Sequence, residues 1–146
     1  MTKQKNNFKG KKILITGHTG FKGSWLSLWM HYNKAKVLGV SDRIPTQPSH
    51  FELLNLKKKI SSKMIDITNL KQLKKIFIKF KPDYVFHLAA QAIVKSSYEN
   101  PVRTWNSNLI GTVNILECLR IVKKKTTAVI ITSDKAYKNI ETKKGY

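Results

Sequence analysis

The sequence predicts an α/β fold in which helices cover both faces of a parallel β-sheet, an arrangement called doubly wound. Five short apolar runs rich in β-branched residues recur along the chain, as is typical of strands buried on both faces of a sheet. Stretches with helical periodicity separate these runs, so that strand and helix alternate. A turn with three glycines follows the first run. The predicted strands are residues 12–16, 35–40, 63–67, 84–90 and 127–133.

The helices between these strands carry their own signals. The first is predicted at "GFKGSWLSLWMHYN", and a short one at "SHFELLNL". The clearest is "TNLKQLKKIFIKF", with Thr68 as the predicted N-cap and Pro82 as the stop. A long helix is expected from Asn100, as N-cap, and Pro101, at the first helical position, to about Lys123. The apolar face of the third helix is predicted to be Leu70, Leu73, Phe77 and Phe80.

Composition limits the class of protein. The chain has 146 residues, about the length of one domain. Its 28 basic and 8 acidic residues give a net charge of +20, which first suggests a nucleic-acid partner. However, 25 of the basic residues are lysines and only 3 are arginines, and they are scattered over helix faces and loops. Base recognition relies on arginine, so we interpret the lysines as solvated surface and expect no specific nucleic-acid partner.

Targeting signals and cysteines add little. No window approaches the roughly 18 uncharged apolar residues of a bilayer helix. The basic start "MTKQKNNFKGKK" is followed by too short an apolar run for a secretion signal. We therefore expect a cytoplasmic protein. Cys118 is the only cysteine, so it cannot form an intrachain disulfide, and its apolar surroundings predict a buried thiol.

The glycines in "TGHTGFKG" predict a phosphate site between the first strand and the first helix. Gly17 permits a tight turn, Gly20 lets the backbone approach a diphosphate, and Gly23 lets the helix pack closely. The amides at the start of the helix then face the phosphates. The spacing is GxxGxxG, one residue longer than the GxGxxG fingerprint, so the motif depends on this strand-and-helix context.

An acidic residue, Asp42, follows the second strand, where it would accept the ribose hydroxyls of an adenosine. This position favours NAD, although Arg43 beside it would suit the 2′-phosphate of NADP. His18 and Lys22 are predicted either to touch phosphate or substrate or to be solvent-facing loop residues. The histidines show no metal-ligand spacing, so no metal is expected, and His87 is predicted to be a core histidine.

Four segments in order, "TGHTGFKGSWL", "FHLAAQ", "SNLIGTVNILE" and "TSDKAY", resemble the extended short-chain dehydrogenase/reductase superfamily of nucleotide-sugar epimerases and dehydratases. The histidine and lysine inserted in the glycine motif, followed by "GSWL", resemble the CDP-glucose 4,6-dehydratase branch. The resemblance implies a Rossmann fold, NAD as cofactor and a nucleotide sugar, CDP-glucose, as substrate. It covers essentially the whole chain but only the N-terminal part of a family enzyme.

The resemblance also implies roles for residues around the cofactor. Asp66 could instead cap the next turn, and Asn108 could be an ordinary surface amide of the helix. The implied contacts are Phe21 and Lys22 at the diphosphate, Asp66 and Ile67 at the adenine, Leu88, Ala89, Ala90 and Gln91 along the ribose and nicotinamide, and Ser107 and Asn108 as a polar pair.

Catalytic roles are implied for "TSDKAY" at the end of the fifth strand. Ser133 would hydrogen-bond the 4-hydroxyl of the sugar, and Asp134 would be the general acid that protonates the departing 6-hydroxyl. Lys135 stands where related dehydratases carry a glutamate base, and a lysine base would need a depressed pKa, so its role stays open. In the family reaction, hydride leaves C4, water leaves across C5 and C6, and the hydride returns to C6.

The family's Tyr-x-x-x-Lys pair is not found after the fifth strand, where the resemblance places it. We therefore expect residues 1–146 to form an incomplete NAD-binding domain, truncated after about the fifth strand, without the C-terminal substrate domain and without activity of its own. The full-length enzyme is expected to be a homodimer. The alternatives are another epimerase or reductase of this superfamily, and a basic binding protein without enzymatic activity.

Overall fold

The computed structural model describes residues 7–133, 138, 140, 141, 143 and 144. Its centre is a five-stranded sheet in which all neighbouring strands are parallel, in the order β3-β2-β1-β4-β5. This arrangement confirms the predicted doubly wound α/β fold. The strands are β1 (Lys12–Thr16), β2 (Lys36–Ser41), β3 (Ser61–Met64), β4 (Tyr84–His87) and β5 (Thr127–Ile130).

Helices connect the strands and cover both faces of the sheet. They are α1 (Phe21–Tyr32), α2 (His50–Leu53), α3 (Leu70–Phe80), α4 (Val94–Glu99), α5 (Pro101–Trp105) and α6 (Gly111–Ile121). A 3₁₀ turn (Leu56–Lys58) follows α2, and a π-helical turn (Asn106–Ile110) joins α5 to α6. The long predicted helix is thus present with a change of winding in its middle, and α4 is an element that the sequence did not predict. Among the described helices, none is long and apolar enough to cross a bilayer.

The predicted boundaries are wrong in four strands: β2 is shifted by one residue, β5 ends three residues earlier than predicted, and β3 and β4 also differ. β3 begins two residues earlier than predicted, at Ser61, and ends at Met64, because polar residues are tolerated in an edge strand with one open side. β4 ends at His87, because the residues after it leave the sheet and enter a loop. These differences place residues that were predicted to be in strands at the rim of the sheet.

The N-cap of α3 also differs from the prediction. Asn69, not Thr68, caps this helix, and its side chain accepts a hydrogen bond from the amide of Gln72 at 3.1 Å. Thr68 instead donates from its amide and its hydroxyl to Oδ1 of Asp66, both at 2.8 Å. Asp66 therefore closes the turn before α3, as its alternative role predicted.

Two hydrophobic cores lie on opposite faces of the sheet. Leu14 packs with Phe77 of α3 and Ile115 of α6 on one face, and the neighbouring Ile13 packs with Met30 of α1 on the other. Cys118 belongs to the first core, which confirms the predicted buried thiol, and burial raises its pKa to about 11. The thiol therefore stays protonated near neutral pH.

The strand order creates a crevice at one edge of the sheet. The chain moves outward from β1 to β2 and β3, and then returns to the other side of β1 to form β4. Thr16 and His87, which end β1 and β4, pair side by side in the register. The connections therefore diverge at the carboxyl ends of β1 and β4, where doubly wound sheets bind their ligands.

Candidate functional site

The glycine motif forms a sharp bend directly after β1. Gly17 has a φ of +73°, a conformation that side chains disfavour, and its amide donates to the carbonyl of Val40 at 2.8 Å. The amide of Gly20 donates back to the carbonyl of Gly17 at 3.1 Å. A Cβ at residue 17 would lie 2.8 Å from the backbone nitrogen of Ala89. The bend and the loop after β4 thus touch backbone to backbone, which only glycine allows.

The first turn of α1 opens from this bend. The N-cap is Gly20, so no N-cap side chain accepts a hydrogen bond from the first amides of the helix. The first turn also contains no acidic residue. A Cβ at Gly23 would lie 2.0 Å from the carbonyl oxygen of Gly17, so this glycine lets the helix begin directly on the bend. The first amides of a helix have no partner within it and carry a partial positive charge. This arrangement suits a diphosphate.

A cleft of about 420 Å³ lies beside the bend. Its lining contains these predicted site residues: Gly17, Gly20, Asp42, Asp66, Ile67, Leu88, Ala89, Ala90, Gln91 and Ser107. It also contains Arg43, which the sequence placed beside Asp42, and these residues to which the sequence gave no role in the site: Thr19, Ser41, Pro45, Thr68, Asn100, Val102, Arg103 and Asn106. Most of the latter come from α5 and the loops, which only the folded chain brings to the bend.

Other predicted residues lie elsewhere. Phe21 and Lys22 are exposed at the start of α1, and neither lines the cleft. Ser133 is exposed beyond the end of β5, outside the lining of the cleft. Asp134 and Lys135 lie outside the residues that the structure describes. Within the described part of the chain, His, Cys, Asp and Glu side chains form no group of three or more that could hold a metal.

One end of the cleft is acidic and flanked by arginines. Asp42 directly follows β2, and its Oδ2 lies 3.5 Å from Nη1 of Arg43 and 3.9 Å from Nη2 of Arg103. Nδ2 of Asn114 on α6 donates to the carbonyls of Ile67 and Thr68, both at 3.0 Å. These bonds anchor the turn that contains Asp66 against α6.

The other end of the cleft is the loop after β4, held by a chain of hydrogen bonds. The amides of Leu88 and Ala89 both donate to Oγ1 of Thr16 at 3.2 Å. With its acceptor sites so occupied, this hydroxyl donates to Nδ1 of His87, 2.7 Å away. The proton of His87 then sits on Nε2, 3.1 Å from Oγ1 of Thr112. His87 is only 2% exposed, which confirms the predicted core histidine, and burial lowers its pKa to about 4.

The π-helical turn fixes the rest of this loop. Oδ1 of Asn108 accepts from the amide of Gln91 at 2.7 Å, and its Nδ2 donates to the carbonyl of Gln91 at 3.0 Å. Gln91 in turn donates from Nε2 to the carbonyl of Ile93 and to the hydroxyl of Thr104. Asn108 is therefore a clamp on the loop, while Ser107, one residue earlier, lines the cleft.

His18 lies behind the bend and outside the lining of the cleft, so both hypotheses for it are wrong. It is fully buried, with Nδ1 2.9 Å from Oγ of Ser41 and Nε2 2.7 Å from Oγ of Ser62. Its ring meets Phe51 edge to face. A Cβ at Gly39 would lie 2.2 Å from this ring, so a glycine in the interior of β2, a known sign of close approach, is the signal that could have located it.

Comparison with known proteins decides the family. The family model described as GDP-mannose 4,6 dehydratase matches residues 14–144. The chain belongs to this dehydratase family. This membership confirms the resemblance inferred from the four sequence segments, and it makes the chain a relative of nucleotide-sugar dehydratases and epimerases.

Curated members of this dehydratase family and its relatives are similar along most of the chain. CDP-glucose 4,6-dehydratase of Salmonella typhimurium is 46% identical over 142 residues, which is 97% of this chain and 40% of that protein. UDP-glucuronate 4-epimerase of Thermodesulfobacterium geofontis is 37% identical, over 82% of this chain and 39% of that protein. The chain therefore spans about 40% of the length of these relatives.

Solved structures of relatives have the same fold as this dehydratase-family chain. An epimerase of Methanothermobacter thermautotrophicus superposes with a TM-score of 0.80 at 27% identity, over 97% of this chain and 40% of its own. UDP-glucose 4-epimerase of Thermus thermophilus, solved in complex with NAD, gives 0.66 at 31% identity, over 75% of this chain and 33% of its own. The five-stranded parallel sheet is thus that of the epimerase and dehydratase Rossmann proteins.

Proposed function

We propose that this chain is the NAD-binding part of a CDP-glucose 4,6-dehydratase and that the cleft holds NAD. The observation that carries the proposal is the glycine bend, whose bare backbone and helix start border a cleft that ends at Asp42. A diphosphate fits the amides, and a ribose fits the carboxylate. The 46% identity to the Salmonella dehydratase supports CDP-glucose as the sugar nucleotide.

The described residues fit the remaining parts of NAD. The turn of Asp66 and Ile67, held by Asn114, offers an adenine pocket next to Asp42. The loop from Leu88 to Gln91 lines the opposite end of the cleft, where the nicotinamide and its ribose would lie. Asn108 contributes by clamping this loop. Phe21 and Lys22 would contribute their backbone amides at the diphosphate, since their side chains lie outside the cleft lining.

The chemistry of the reacting sugar is assigned to the segment that follows β5. NAD, when bound, supplies reversible hydride acceptance. We propose that Ser133 forms a hydrogen bond with the 4-hydroxyl of the sugar and that Asp134 protonates the departing 6-hydroxyl. Lys135 is either the base or a residue with no part in the reaction. Because β5 is parallel to β1 and β4, residues 131–133, which follow it, leave the sheet at the same edge as the glycine bend. That common edge supports the assignment.

The dehydratase also needs its tyrosine and lysine, which the resemblance places after "TSDKAY". Tyr32 and Lys36 have the Tyr-x-x-x-Lys spacing, but they end α1 and begin β2, at the edge of the sheet opposite the cleft. They therefore do not substitute for the catalytic pair. We propose that residues 1–146 bind the cofactor without turning over the sugar. Cytoplasmic location stays a prediction.

Calorimetric titration and a turnover assay test this function together. We expect the 146-residue chain to bind NAD and to convert no CDP-glucose, because losing one member of a catalytic group removes nearly all activity. The Salmonella CDP-glucose 4,6-dehydratase is the positive control for the assay. Failure to bind NAD would overturn the proposed function. Turnover of CDP-glucose by the chain would contradict the proposal that residues 1–146 bind the cofactor without converting the sugar.

The nucleotide sugar is tested separately. Several relatives are epimerases that act on UDP sugars, so a UDP-sugar epimerase is the second candidate. A protein that contains this chain together with the residues that follow it in relatives should act on CDP-glucose in preference to UDP-glucose and dTDP-glucose. Preference for a UDP sugar would favour the second candidate.

We also propose that two copies of this chain pair through α5 and α6. An apolar stripe with spacings of three and four residues runs along α5, the π-helical turn and α6, opposite the buried Ile115 and Cys118 of α6. Such spacing is typical of helices that pack against another helix. The stripe consists of Val102, Trp105, Leu109, Val113 and Leu116, each about half exposed or more.

Sedimentation tests the pairing. The wild-type chain should sediment as a dimer, and Leu109→Lys should shift it to the monomer because it places a charge within the stripe. Ile78→Lys, at an exposed apolar residue of α3, is the matched control and should leave the dimer intact. A wild-type chain that stays monomeric at all concentrations would exclude this interface.

A further inference from the structure

The loop after β4 is held by hydrogen bonds at both of its ends. At its start, the amides of Leu88 and Ala89 donate to the hydroxyl of Thr16. At its far end, the side chain of Asn108 binds both the amide and the carbonyl of Gln91. None of the residues between these two ends is fully buried. The position of this loop therefore depends strongly on its hydrogen bonds.

The two groups that hold this loop are themselves connected through the interior of the protein. The imidazole of His87 lies between Thr16, at 2.7 Å from Nδ1, and Oγ1 of Thr112, at 3.1 Å from Nε2. Oγ1 of Thr112 in turn donates to the backbone carbonyl of Asn108 at 2.6 Å. These bonds form a closed circle, which we call the loop network. It runs from the loop through Thr16, His87, Thr112 and Asn108 and returns to the loop at Gln91.

Between the two ends of the loop, the donors of the loop network all point the same way. Thr16 has one hydroxyl proton and accepts from two amides, so its proton goes to Nδ1 of His87. A neutral imidazole then carries its proton on Nε2 and donates it to Thr112, whose own proton goes to Asn108. Each hydroxyl and the imidazole thus both donate and accept, and such aligned bonds strengthen one another. Losing one member is therefore expected to loosen the whole network.

The ordinary roles of Thr112 and His87 do not account for this arrangement. A threonine in a helix often donates to the carbonyl four residues earlier, as Thr112 does. Here its hydroxyl also accepts from a buried imidazole, directly after the π-helical turn that contains Asn108. Such turns are rare and are frequently found at functional sites. A buried imidazole also costs desolvation, which an apolar residue at the end of β4 would avoid. These features are expected where the position of a loop matters.

We propose that His87 and Thr112 are positioning residues that hold the loop after β4 in the conformation that binds the nicotinamide half of NAD. The inference rests on the proposed function, because it assumes that the nicotinamide lies at residues 88–91. Neither side chain lines the cleft, so both act through the backbone of the loop. A loop that is already held in its binding conformation loses less entropy when the dinucleotide binds. The loop network therefore raises the affinity for NAD without touching it.

Thr112→Val removes the hydroxyl and nearly keeps the shape of the side chain, so it opens the loop network at one member. By calorimetric titration, we expect the affinity for NAD to fall about tenfold, the size of one lost hydrogen bond, and that for ADP to change less than about twofold. ADP has the adenosine and the diphosphate but lacks the nicotinamide half. Thr112→Ser keeps a hydroxyl and should keep the affinity for NAD. Ser97→Ala is the matched control, because it removes a hydroxyl that donates to Val94 within α4, and it should change neither affinity.

Hydrogen exchange followed by NMR tests the loop network without any ligand. In Thr112→Val, the amide of Gln91 should exchange at least about tenfold faster than in the wild type, because Asn108 loses the hydroxyl that fixes its carbonyl. The amide of Leu14, a fully buried residue of β1, should keep its rate. An unchanged rate at Leu14 separates loosening of the loop from a general loss of stability.

The outcomes distinguish this inference from the proposed function. If the wild-type chain binds NAD and Thr112→Val binds it equally well, or if Thr112→Ser is as weak as Thr112→Val, the positioning role is wrong and the cofactor site stands. Equal losses of affinity for NAD and ADP in Thr112→Val would also overturn the role, since the loop network would then support the whole domain. If the wild-type chain does not bind NAD, the proposed function fails and this inference fails with it.

Discussion

Gly17→Ala should destabilise the chain by about 2–5 kcal/mol and remove detectable NAD binding. About 1–2 kcal/mol is expected from forcing alanine into the left-handed conformation of residue 17. A further cost of about 1–3 kcal/mol is typical of overpacking, here from a Cβ 2.8 Å from the nitrogen of Ala89 and 2.9 Å from the carbonyl carbon of Leu88. These atoms are backbone, so they cannot turn away as a side chain would. Relief requires the bend and the β4 loop to separate, which opens the cleft.

Gly10→Ala is the matched control for this prediction. Gly10 has nearly the same φ, +75°, but a Cβ there would meet nothing within 4 Å. Its substitution should therefore show the conformational cost alone and leave NAD binding unchanged. Urea denaturation and calorimetric titration of the two variants measure the difference. Equal losses of stability in both, with NAD binding retained in Gly17→Ala, would mean that the contact between the bend and the β4 loop is unimportant.

The chain should begin to lose stability as the pH falls below 6.5, well above the ordinary pKa of carboxylates. Burial lowers the pKa of His18 and that of His87 to about 4, from 6.5, so both are neutral in the folded chain. The unfolded chain binds these two protons as the pH falls below 6.5, and the folded chain does not. The stability that each neutral histidine contributes is therefore complete above pH 6.5 and is lost progressively down to pH 4. The loss is about 3 kcal/mol for each.

The measurement is the free energy of unfolding in urea at several values between about pH 7.5 and 4. Two histidines that bind protons only when unfolded give a slope approaching about 2.7 kcal/mol per pH unit. His87→Gln should lower that slope by about half. His31→Gln, at a histidine that is not buried, should leave it unchanged. A flat profile between about pH 6.5 and 5 would show that the two buried rings accept protons without cost.

Local patterns predicted the central part of this fold. β1 has the predicted boundaries, and the glycine motif forms a bend between β1 and α1 because turn chemistry is encoded by the residues of the turn itself. Asp42 lies at the end of β2 for a similar reason, since its position follows from the length of one strand. Leu73 and Phe77 are buried on the predicted face of α3, because helical periodicity alone determines that face.

Features that depend on distant residues were not predictable in the same way. His18 stands next to a glycine, and the sequence predicts that it touches phosphate or substrate or faces solvent. Its buried position depends instead on the space left by Gly39 and on two serines of other strands. Arg103 lies far from Asp42 in the sequence, and only the packing of α5 across the cleft brings them together. The π-helical turn at Asn108 likewise reflects its partner, the loop at Gln91, more than its own sequence.

A crystal structure of the chain with NAD is the most direct test of the cofactor site. We expect the diphosphate within hydrogen-bonding distance of the backbone amides at the start of α1, and the adenosine ribose at the carboxylate of Asp42. A dinucleotide bound at the opposite edge of the sheet, or a diphosphate away from residues 17–23, would contradict the account.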